Sequence, residues 1–115
     1  MSFFNQLQTA TENERQVLFS APIIQEALQG DILKEQYVAF LSQAFHHVKH
    51  TVPLLMACGS KLTDKHNWLR NAIAEYIEEE IGHEEWILSD IAACGFDADK
   101  VRHSAPHIST EMMVA

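Results

Sequence analysis

Glu80 and His83 are the residues of this sequence best suited to chemistry. Three positions apart on a helix, they would project from one side, and a carboxylate beside an imidazole is a donor pair for iron or manganese. At ~100° per residue, Leu69, Ile73, Tyr76, Ile87 and Ile91 fall within about 40° of one line. Glu80 lies near the centre of that stripe, His83 toward one edge and Glu84 toward the other. A carboxylate in an apolar stripe is costly unless it is paired, protonated or bound to a cation. Glu-x-x-His is also the spacing with which helical bundles hold metal ions. The blander reading pairs Glu80 with a buried Arg or Lys, and glutamates are frequent enough here for a chance match. Spacing alone leaves both readings open.

His47 and His50 form a second group, on the side of their helix that carries Phe40 and Leu54. Either one alone reads as a packed histidine bonded to a carbonyl. His46 falls at a helix border and His66 on an exposed face, while His103 and His107 lie in loop, with nothing to support a role. Tyr37 and Tyr76 read as wall or core residues, and Glu78 and Glu85 as solvated charges. The sequence holds no Ser/His/Asp set, no glycine-rich phosphate loop and no H-E-x-x-H motif.

The elements that must carry these residues are all helical. A first helix runs from about Ser2 to Phe19 and a second, with Pro22 in its first turn, stops at Gly30. A third runs from about Leu33 to Ser60, apolar on two sides, with Pro53 kinking or splitting it. A fourth runs from about Lys65 to Ala93, capped by Thr63 or Asp64 and stopped at Gly95. The short link between these two makes them antiparallel neighbours. Phe96 to His103 reads as one capped turn or short helix, and Ser109 or Thr110 caps the final segment.

The 115 residues suffice for one small domain. A net charge of −8 with no basic cluster argues against nucleic acid as a partner. No apolar run reaches the ~20 residues of a membrane span. Cys58 and Cys94 are not a C-x-x-C pair, and the N-terminus is not patterned as a secretory signal, so a reduced, cytoplasmic setting is expected. The long helices carry more apolar faces than short partners can cover. The chain therefore reads as part of a larger all-α bundle, completed by further residues or another chain. A dinuclear carboxylate site takes a Glu-x-x-His from each of two helices and a Glu from two more. This sequence offers a single clear Glu-x-x-His, about half of such a set.

Two stretches, LKEQYVAFLSQAFHHVKHTVPLLMACGSKL and AEYIEEEIGHEEWILSDIAACGFD, resemble the heme oxygenase-like superfamily. That group includes thiaminase II, pyrroloquinoline-quinone synthase and the heme-oxygenase-like di-iron oxidases. The resemblance implies a helical bundle longer than this chain, which looks like its N-terminal half. In the di-iron oxidases a glutamate and then a histidine stand in an E-E-x-G context. Glu79-Glu80-Ile81-Gly82-His83 is similar to it, which would make Glu80 and His83 iron ligands, the iron mononuclear or di-iron. Against thiaminase II the match departs. Ala44 and His47 stand where that family has the aspartate and tyrosine that hold an aminopyrimidine. No histidine precedes His46, so heme ligation is not implied.

The expected activity is thus that of an iron-dependent oxidase or oxygenase acting on a small organic molecule, working as a homodimer. Tyr37, Phe40, Ala44, His47, His50, Tyr76 and Glu84 would line its pocket. A metal-free hydrolase or binder of a small heterocycle, with Glu80 as acid/base group, is the second expectation. A non-enzymatic helical module is the third.

Overall fold

The computed structural model describes residues 1–115 and is helical throughout, in two units, Met1–Leu33 and Lys34–Ala115. No helix is long and apolar enough to cross a membrane.

The first unit holds α1 (Phe3–Ala10), α2 (Glu12–Phe19) and α3 (Pro22–Leu28). The Ser2 hydroxyl caps α1 by accepting from the Asn5 N–H at 3.2 Å. The single helix expected over Ser2–Phe19 is broken at Thr11. Its hydroxyl donates back to the Leu7 carbonyl at 2.9 Å, and its backbone leaves the helical region. After α3, Gly30 takes a φ of 74°, and the Asp31 N–H reaches back to the Glu26 carbonyl. That closure needs the left-handed conformation glycine adopts without penalty. None of these three helices buries a residue.

The second unit holds α4 (Lys34–Val48), α5 (Thr51–Lys61), a 3₁₀ turn at Asp64–His66, α6 (Trp68–Glu80), α7 (His83–Ala93), α8 (Ala98–Arg102) and α9 (Ile108–Val114). Helix α4 packs on α7 and α5 on α6, so the α4–α5 arm folds back along the α6–α7 arm as a hairpin of broken rods. Val38, Leu41 and Phe45 of α4 meet Leu88 and Ile91 of α7 in the core, with Ile87, Cys94, Ala98 and Val101 against it. The apolar spacing of α4 and α7 puts these side chains on facing stripes.

Both long helices expected from the sequence are interrupted. The break in the first falls at Lys49–His50, just before Pro53. Pro53 then occupies the first turn of α5, where a backbone N–H has no intrahelical acceptor to lose. The second break falls at Ile81–Gly82. Ile81 is extended and Gly82 has a φ of 89°. A Cβ on Gly82 would meet no atom within 4 Å, so an alanine there suffers only the backbone penalty. Gly82→Ala is expected to lower stability by about 1–2 kcal/mol in a urea melt; an unchanged midpoint would show that the turn can relax.

Two polar clasps hold the C-terminal helices. The Gln43 side-chain oxygen accepts from the His107 N–H at 2.9 Å and from the Thr110 hydroxyl at 2.8 Å. Thr110 is thereby buried inside α9, and His107, not Ser109 or Thr110, precedes the helix. Arg102 of α8 donates to both carboxylate oxygens of Glu85, at 2.8 and 2.6 Å. Glu85, expected to be a plain solvated charge, instead ties α8 to α7. The Arg102 hydrogen bond holds its carboxyl below the ordinary carboxylate value. Gln43→Ala would leave the Thr110 hydroxyl without its acceptor. A loss of about 1–3 kcal/mol is expected, with faster amide exchange confined to α9; uniform exchange would sink this reading.

Candidate functional site

Glu80 ends α6 and His83 begins α7, so the pair spans a helix break instead of sharing one continuous helix. The break keeps them together nonetheless. Glu80 Oε2 lies 3.3 Å from His83 Nδ1 across the Gly82 turn. Their side chains are 24% and 31% exposed, respectively, so the carboxylate does not stand in bulk solvent. Leu69, Ile73 and Ile87 of the expected stripe are likewise half-buried and Ile91 is buried. The phase of the stripe survives the interruption.

Helix α6 is set in place at its N-terminal end by Arg70. Its guanidinium donates to Asn67 Oδ1 at 2.7 Å, to the Gly59 carbonyl at 3.5 Å and to the Leu62 carbonyl. It thus caps the end of α5 while fixing the start of the helix that ends at Glu80. At the other side, the His83 ring lies against the Trp86 ring, with centroids 4.4 Å apart and planes at 36°.

A carboxylate at a helix C-terminus and an imidazolium at a helix N-terminus each oppose the local dipole. Their 3.3 Å separation is also longer than the ~2.7–2.9 Å of a charge-assisted N–H···O bond. It is close to the ~3 Å between adjacent donors that each lie ~2.1 Å from one first-row metal ion. Glu80 and His83 are thus two adjacent donors of the types iron accepts, in contact with each other. No group of three or more His, Cys, Asp or Glu side chains placed to hold a metal occurs in the chain.

The other expected site residues separate into distinct places. Phe40, Ala44 and His47 gather in an open groove of about 380 Å³ with Gln43, Val48, Thr110 and Met113. His50 lies in a second cleft of about 280 Å³, with His46, Pro106 and Glu111 among its walls. Neither groove is lined by Glu80 or His83. Tyr37 and Tyr76 are exposed at 42% and 48% and line neither groove. Glu84 is half-buried next to His83 in sequence and forms no third donor with the pair.

His46 is the residue that sequence reasoning missed. Instead of marking a helix border, it is 1% exposed. Its Nε2 lies 2.8 Å from Ser104 Oγ and its Nδ1 3.4 Å from Lys49 Nζ. An ammonium can only donate, so Nδ1 accepts and Nε2–H donates to Ser104. Ser104 in turn donates to the Val101 carbonyl at 2.7 Å. This direction of bonding makes His46 a donor to the serine, not its base. Burial, followed by the charges of Lys49 and His50, lowers its pKa from the ordinary value of 6.5. The partner lies 58 residues along the chain, and no local pattern points to it.

The comparisons with known proteins bear on the same part of the chain. No curated protein and no solved structure matches it significantly. Residues 38–115, which hold the α4–α7 core, Glu80 and His83, match the family described as iron-containing redox enzymes. The chain belongs to that family, within the heme oxygenase-like superfamily, and an all-helical fold with a carboxylate–imidazole pair is what it contributes.

Proposed function

We propose that Glu80 and His83 are two adjacent ligands of an iron ion in an oxidase or oxygenase that acts on a small organic molecule. The observation that carries this is the 3.3 Å approach of Glu80 Oε2 and His83 Nδ1 across a glycine turn. Membership in a family described as iron-containing redox enzymes supports the choice of iron and of a redox reaction. Iron, when bound, supplies the capacity to bind oxygen and exchange electrons. The chain supplies a carboxylate and an imidazole donor, held at one turn and each partly buried. The remaining ligands come from outside this set, because no third donor joins the pair. The test is metal analysis of protein expressed with iron, alongside ferrous titration of metal-free protein. Iron in stoichiometric amount is expected; absence of binding in both experiments would remove the proposal.

The groove of Phe40, Ala44 and His47 favours a second reading, in which a small heterocycle binds without a metal. An aromatic wall, an imidazole and the Gln43 amide are suited to a flat, polar-edged ring. Ligand binding that persists in chelator and fails in His47→Ala would support it; binding that vanishes with the metal would count against it.

A further inference from the structure

We propose that Trp86 is a positioning residue for His83, its indole setting the plane of the imidazole so that Nδ1 faces Glu80. This rests on the reading of Glu80 and His83 as metal ligands. Trp86 follows His83 by three positions on α7, so the two side chains leave the same side of the helix. The rings lie 4.4 Å apart at 36°, a tilted contact close enough to limit rotation about the imidazole χ2 torsion, which is otherwise broad. His83 is the first residue of α7, with only the Gly82 turn before it. No preceding helical turn packs against its ring, and the indole is the one ring in contact with it. A histidine ligand is ordinarily oriented by a hydrogen-bond partner on its other ring nitrogen, whose loss weakens metal binding by about 10–100-fold; here the indole would take that orienting part, with an effect at the low end. Trp86 is 65% exposed, and its ring contact is with His83.

Cobalt(II) is the probe, because its visible bands report ligand number as well as affinity. Titrations are made in a Trp68→Phe background, so that the remaining indole emission comes from Trp86; Trp68 is 69% exposed and away from the pair in sequence. Cobalt is expected to quench the Trp86 emission in step with the growth of its visible bands. In a separate absorbance series on the Trp68-containing chain, Trp86→Leu is expected to bind cobalt about tenfold more weakly, and Trp86→Phe to restore affinity to within about threefold. Helical circular dichroism checks each variant, and Trp86→Met replaces Trp86→Leu if the latter is unfolded. Equal affinity in the aliphatic variants and the parent would overturn the positioning role while leaving the site intact. Unchanged cobalt binding in His83→Ala, or no cobalt binding by the parent, would instead overturn the metal site on which it rests.

Discussion

Replacing either Glu80 or His83 by alanine is expected to weaken iron binding by more than ~100-fold. The lower bound follows from the 10–100-fold cost of losing a residue that merely supports a ligand; a direct ligand must cost at least as much. Glu80→Gln is expected to behave like Glu80→Ala, since an amide keeps the shape and loses the charge that a cation requires. Glu78→Ala, on the exposed side of the same helix, should bind iron as the parent does. Stability gives an independent reading. The Glu80 carboxylate sits at the C-terminal end of α6, where a negative charge is disfavoured by about 0.3–1 kcal/mol. Metal-free Glu80→Gln should therefore be no less stable than the parent in a urea melt. A purely structural ion pair predicts the reverse, a less stable variant with unchanged metal binding. That pattern would reassign the pair to folding.

His46→Ala is expected to cost about 2–4 kcal/mol at neutral pH, in the range of other large-to-small changes in a core. The ring is enclosed and sits edge-on to Phe45, with centroids 5.3 Å apart and planes at 65°. Its removal leaves a cavity, and Ser104 loses the donor that links the α8–α9 segment to α4.

The same burial makes stability depend on pH. The folded-state pKa of His46 is lowered from 6.5, so the unfolded chain binds the proton more readily. Stability from this group is complete above the unfolded value and is lost as pH falls through 6.5 toward the folded-state value. His46→Gln, which stays neutral, removes this dependence. The stability difference between parent and His46→Gln should therefore shrink as pH is lowered from 7.5 to 5. Lys49 on α4 and His50 before α5 add repulsion to the charged ring, and Glu111 of α9, which shares the adjoining cleft, is the acid placed to oppose it. A pH-independent difference would show that His46 takes up its proton without strain.

The proximity of Glu80 and His83 was legible in the sequence because its signal is periodic and local. Acid and imidazole fall at helical spacing within an apolar stripe, and the helix break does not destroy that phase. Val38, Leu41 and Phe45 of α4 and Ile91 of α7 were legible for the same reason, whereas Leu88, buried beside them, was not on the expected stripe and Tyr76, which was, is exposed. The breaks were only partly visible. Pro53 announced an interruption, but its own preference for a first turn moved the break ahead of it. Gly82 sat unnoticed within a helical pattern, because a lone glycine there is tolerated as well as used.

Composition and periodicity thus determined an acidic, all-helical chain with a Glu-x-x-His pair on an apolar stripe. Tertiary structure alone decided that Phe40, Ala44 and His47 share a groove apart from that pair, and that His46 is enclosed. It also decided that Glu85 and Gln43 act as clasps. These outcomes depend on contacts between residues 17 to 67 positions apart. A helical wheel orders side chains around one axis and carries no information about which distant segment arrives to meet them.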